Sequence, residues 1–209
     1  MTTSIRPLRT TLAMVSLLVL GTLAGCSTAP RTEEKKQTLE DRAQAKLDAF
    51  KQENPGMSSI LDGSYGYAIF PSVGKGGLIV GGAYGKGTVY EQGKMIGYAD
   101  LTQATVGAQL GGQTYAELIV FKDETAMNRF KNNQLAFTAQ ATAVALKAGA
   151  AVTAKFEHGV AVFTEPNEGL MAEAAVGGQK FTFVSVNNAP GSTTEPAAET
   201  SATTMPSEQ

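Results

Sequence analysis

Tryptophan is absent from this chain of 209 residues, and cysteine and histidine occur once each, as Cys26 and His158. A zinc or copper centre built on soft ligands draws on several such side chains, so none can be assembled here. A serine nucleophile needs a histidine beside it. Ser58, Ser59, Ser64 and Ser72 lie near predicted turns and outside any Gly-x-Ser-x-Gly setting, and His158 reads as a turn residue. Glu165 and Glu168 flank Pro166 in what reads as a loop, where carboxylates are solvated rather than paired for acid–base work. One cysteine closes no internal disulfide. The net charge is −2, which gives no general attraction for nucleic acid. No run reaches the roughly 20 apolar residues of a spanning helix. These absences point to a chain without metal, cofactor or catalytic residue, and with no nucleic-acid partner.

What remains is 43% hydrophobic with 23 glycines, enough for one core with many turns and close backbone contacts. Residues 33–53 read as a helix: Leu39, Ala43, Leu47 and Phe50 fall on one stripe, and Asn54-Pro55-Gly56 ends it. Its polar faces mix acids and bases, which suits packing on its own domain better than lying on a membrane. Strands are expected over 65–71, 77–84, 88–90, 95–102, 105–110 and 114–121, with turns at Gly85-Lys86-Gly87 and Gln92-Gly93-Lys94. Asp123 caps a short helix carrying Met127 and Phe130, ended by Asn132-Asn133. Residues 135–152 fit helix by their alanines and strand by their alternation, and both stay open. Further strands are expected over 159–164, 170–176 and 179–186 after a Gly177-Gly178 turn. The class is α+β: a coiled antiparallel β-sheet, open or closed into a barrel, with an N-terminal helix and one or two more packed on it.

The N-terminus carries Arg6 and Arg9, then a short apolar run over 12–23 ending in small residues, the layout of a secretory signal. Leu23-Ala24-Gly25-Cys26 resembles the lipobox of bacterial lipoproteins. The resemblance implies removal of 1–25 and a diacylglyceryl thioether on Cys26, with a further acyl chain such as palmitate on the new amino group. Two or more chains hold a protein stably at a bilayer. Ser27, where an aspartate would resemble the inner-membrane retention signal, implies the outer membrane and its periplasmic face. The expected layout is a lipoprotein signal peptide over 1–25, a spacer over 26–32, one domain over 33–186 and a tail over 187–209 too polar to order.

Two glycine-flanked lysines invite comparison with anion cradles: Lys75 in Gly74-Lys75-Gly76-Gly77 and Lys86 in Gly85-Lys86-Gly87. Neither has P-loop spacing, and tight turns with exposed lysines explain both. They remain the local candidates for a lipid head group. Ile69, Val80 and Leu110 are candidate linings of an apolar pocket.

The blocks Tyr67-Ala68-Ile69-Phe70-Pro71-Ser72-Val73, Gly77-Leu78-Ile79-Val80-Gly81-Gly82 and Val106-Gly107-Ala108-Gln109-Leu110-Gly111-Gly112 resemble the SYLF domain family. So does the stretch from Glu117 through Phe121 and Asp123 to Phe130. The resemblance covers roughly residues 43–184 and implies a non-enzymatic, lipid-binding domain. Eukaryotic members bind phosphoinositides, and bacterial members are mostly secreted or lipidated. Two readings follow: a lipid-binding domain on an acyl anchor, or an envelope module that binds a protein partner and touches lipid only through Cys26.

Overall fold

The computed structural model describes residues 28–138, 143–145 and 155–190. Its helices are α1 (Glu33–Glu53), α2 (Met57–Asp62) and α3 (Glu124–Lys131). Its strands are β1 (Gly66–Gly77), β2 (Val80–Glu91), β3 (Lys94–Phe121), β4 (Ala136–Thr138), β5 (Ala143–Ala145) and β6 (Val160–Ser185). They form one six-stranded sheet in the order β1-β2-β3-β6-β4, with β5 on β6 and a second pairing of β3 with β1. All pairs are antiparallel except β5 with β6. The α+β class is as expected. The sheet is strongly coiled but is not closed into a barrel: β4 and β5 stand on the outer edge of β6, joined to neither β1 nor β2.

The strands are longer than the short ones expected. β3 has 28 residues and β6 has 26, and they pair from Gly97 with Ser185 to Phe121 with Val160. The other edge of β3 takes β2 along its first half, from Lys94 to Val106, and β1 along its second, from Gly111 to Phe121. The ribbon therefore folds over, and β1 is paired on both edges.

Two prolines mark bulges between the fold-over and the helix-covered end. The β1 register slips between Phe70 and Val73, at Pro71, and the β6 register slips opposite Thr114 and Tyr115, at Pro166 and Asn167. Proline cannot donate to a ladder and is tolerated at bulges, which bend the strand. Asn167 Nδ2 donates to the Pro71 carbonyl at 3.1 Å, tying the two bulges together. Glu165 and Glu168 thus belong to a strand, not a loop, and the Glu165 carboxylate stands 3.5 Å from Lys46 Nζ of α1. Gly177-Gly178 is likewise strand rather than turn.

Gly85-Lys86-Gly87 is also no turn but lies inside β2. Its glycines answer to crowding. A Cβ on Gly87 would lie 2.5 Å from the Ile69 carbonyl oxygen and 2.7 Å from the Phe70 ring, so only glycine lets β1 approach. Gln92-Gly93 is the turn expected, with positive φ at both residues. His158 is a turn residue as read, at φ 52°.

One end of the sheet is covered on both faces. Leu47 and Phe50 of α1 and Met57 and Leu61 of α2 pack with Ile69, Leu118, Val120 and Phe163. The opposite face joins Phe70, Ile119, Phe121, Val162 and Phe181 to Met127 and Phe130 of α3. Two-sided burial explains the nearly continuous apolar runs 67–70 and 118–121. α1 buries the expected stripe of Leu39, Ala43, Leu47 and Phe50, and the Asp123 carboxylate caps α3 at Ala126 N, 2.9 Å. α2 follows α1 after Asn54-Pro55-Gly56, unannounced by any long periodicity.

Of residues 135–152, Ala136–Thr138 and Ala143–Ala145 are strand, and 139–142 and 146–152 lie outside the described residues. Residues 1–27 and 191–209, including Cys26 and most of the tail, also lie outside them. Ala29, from the stretch read as spacer, and Ala189, from the start of the tail, are buried together against Leu39 and Tyr98.

Candidate functional site: the uncovered end of the sheet

The β1–β2 connection and the middle of β3 meet at the end of the sheet away from the helices. Val80 is opposite Val106, Gly77 is opposite Gly111, and Gly107 N donates to the Ile79 carbonyl at 2.9 Å. The middle of β6 joins them, with Val176 at Val106 and Ala172 at Leu110. Strand alternation then decides which side chains face outward. Toward this end the exposed positions of β2 and β3 are Val80, Gly82 and Tyr84, and Thr102, Ala104, Val106, Ala108, Leu110, Gly111 and Gly112. Leu78 and Ile79 cap the turn; Ile79 is 75% exposed and Leu110 67%. Every large exposed hydrophobic residue among those described except Tyr84 belongs to this end.

The buried inward positions of the same strands include a polar group beside the apolar Val73, Ala83 and Leu101. Gln103, Thr105, Tyr115 and Glu117 of β3 and Gln179 of β6 all face the fold-over. Gln179 Nε2 donates to both carboxylate oxygens of Glu117, at 2.8 and 2.9 Å, bridging from one half of the ribbon to the other. The Tyr115 hydroxyl points at Gln103 Oε1 across the same gap, at 3.5 Å. Burial holds the Glu117 carboxyl up at about 7, against smaller opposing effects of the Gln179 bond and the Lys75 charge. Toward this end the sheet thus turns inside out, polar within and apolar without. A soluble sheet shows the reverse, and strands that contact lipid show this pattern.

The two lysines do not form a cradle. Lys75 is half-buried in β1 and its charge acts on Glu117. Lys86 lies on β2, where its ammonium is 2.9 Å from Asp100 Oδ1, donates to the Thr28 carbonyl at 2.8 Å and stands 5.7 Å from the Tyr84 ring centre. Burial alone would lower the Lys86 pKa, but its bonds to Tyr84 and Asp100 outweigh that and raise it. Asp100 and the backbone near the N-terminus are therefore its partners. The expected pocket is not formed from Ile69, Val80 and Leu110, because Ile69 is core beneath α1 and the other two face outward. A groove of about 210 Å³ does lie between α1 and β2, lined by Leu39, Arg42, Pro71, Ser72, Tyr84 and Lys86. It is smaller than the roughly 300 Å³ at which ligand pockets begin. No described helix is long and apolar enough to cross a membrane.

The outward stripe was readable in the sequence as Val80, Val106 and Leu110 among glycines, but its exposure was not.

This chain is 29% identical over 155 residues to beta cell expansion factor A of Aeromonas veronii. The match takes in 73% of the present chain and 59% of that protein, so the chain spans less than two thirds of its relative's length. No family model matches the chain.

Proposed function

We propose that this chain is a lipid-anchored protein of the outer membrane, facing the periplasm, whose SYLF-type domain binds lipid and catalyses no reaction. The observation that carries the lipid reading is the inside-out end: outward Leu78, Ile79, Val80, Val106 and Leu110 over an inward Gln103, Glu117 and Gln179. A contiguous apolar surface of this kind marks a site of contact with another apolar phase. Cys26 within Leu23-Ala24-Gly25-Cys26 supports the acyl anchor, and the blocks quoted above support the family. The similarity to a bacterial protein supports the bacterial setting.

The test is flotation of the chain from Ser27 onward, which keeps every described residue and carries no acyl group. It is expected to rise with vesicles made from bacterial phospholipid extract. Recovery of all the protein at the bottom of the gradient sinks the lipid-binding half. A second reading assigns the domain to a protein partner in the envelope. It draws on the outer edge of β6 between Thr164 and Gly178, where no described strand is paired. Cross-linking of that edge to one partner, with no vesicle binding, would favour it.

A further inference from the structure

The uncovered end is apolar, but its charge distribution says more. We propose that it meets the bilayer by entering hydrocarbon and not by reading head-group charge, so that its partner is a surface of zwitterionic phospholipid as readily as an anionic one. This rests on the lipid-binding reading above and narrows it.

The segments that converge there are 76–85, 102–116 and 166–179. They contain no lysine and no arginine, and their only charged residues are Glu168 and Glu173. The nearest cations are turned to other tasks. Lys75 is half-buried with its charge on Glu117. Lys86 is ion-paired with Asp100 and lies six positions from Val80, about 20 Å along a strand. Lys180 is exposed but is paired in register with Thr102, about 13 Å back from Val106. An anionic surface attracts a protein by about 1 kcal/mol per cation held near it. With none among the described residues of the apolar end, that attraction is missing there. Burial of Leu78, Ile79, Val80, Val106 and Leu110 is left as the driving force.

The experiment compares the chain from Ser27 with vesicles of phosphatidylcholine alone and vesicles enriched in phosphatidylglycerol, at low salt and at about 1 M salt, where the Debye length falls to about 3 Å. Partition is expected to agree within about twofold between the two lipids and to survive the salt. Ile79→Asp is expected to weaken both by about tenfold or more. Ile79 is a turn residue in contact with solvent, so this variant should fold. Val106→Thr, which keeps the β-branched shape, is expected to weaken both in the same direction by less. Lys75→Gln should leave both unchanged. Binding confined to the phosphatidylglycerol vesicles and released by salt overturns this inference and leaves lipid binding standing. Absence of binding to either lipid overturns the parent reading. Concentration-dependent dimerisation abolished by Ile79→Asp, with no vesicle binding, overturns both and assigns the surface to a second copy.

Discussion

Glu117 is a carboxyl with 2% exposure that accepts its hydrogen bonds from a neutral amide, Gln179. Its pKa rises from 4.5 to about 7 because burial penalises the anion. Between those values the folded state holds a proton that the unfolded chain has released, so stability falls as pH climbs from about 4.5 to about 7 and levels off above. Thermal unfolding across that window should show the decline. Glu117→Gln should flatten it and raise stability at pH 8 by on the order of 3 kcal/mol, with little change at pH 4. A variant whose slope matches the parent would show that another group sets the dependence. Gly87 gives a second prediction. Its missing Cβ makes room for Ile69 and Phe70 of β1. Gly87→Ala should therefore destabilise by about 1–3 kcal/mol in denaturant titration. Had the residue occupied an open turn, as its sequence setting suggested, alanine would be harmless.

The elements divide into those declared by local pattern and those that are not. α1 was legible from its stripe and stop, and α3 from its cap and stop, each within one segment. Phe50→Ala should cost about 3–5 kcal/mol by opening a cavity between α1 and the sheet. Asp123→Ala should cost about 1 kcal/mol, which Asp123→Asn largely restores, since either side chain accepts from Ala126 N. The strands were legible in kind but not in length. Gly85, Gly87, Pro166, Gly177 and Gly178 read as breaks, yet all lie within strands. Proline at a bulge and glycine at a close approach look the same in sequence as proline and glycine in turns. Only the neighbouring strand tells them apart.

At the scale of the molecule, one end of the sheet is covered by helices on both faces and the other carries no described helix. The covered end secures the fold, so the other is free of that duty. Ile79→Asp should accordingly leave the unfolding free energy within about 0.5 kcal/mol of the parent while changing vesicle binding. The proposed acyl anchor is separable from it. Cys26→Ser in the producing bacterium should block lipidation and cleavage and accumulate the uncleaved form; a product of unchanged mass carrying labelled palmitate would refute the anchor at this residue.

Composition and short-range pattern settled the class, helices α1 and α3 and the Gln92-Gly93 turn, because each depends on residues within one or two turns of chain. The fold-over of β3 and β6 decided the rest. It set Glu117 against Gln179, 62 residues apart, and brought 78–80 beside 106–110. Alternation along a strand tells which residues share a face, but not which face meets water. That depends on which end the helices cover, and so on contacts made across the whole chain.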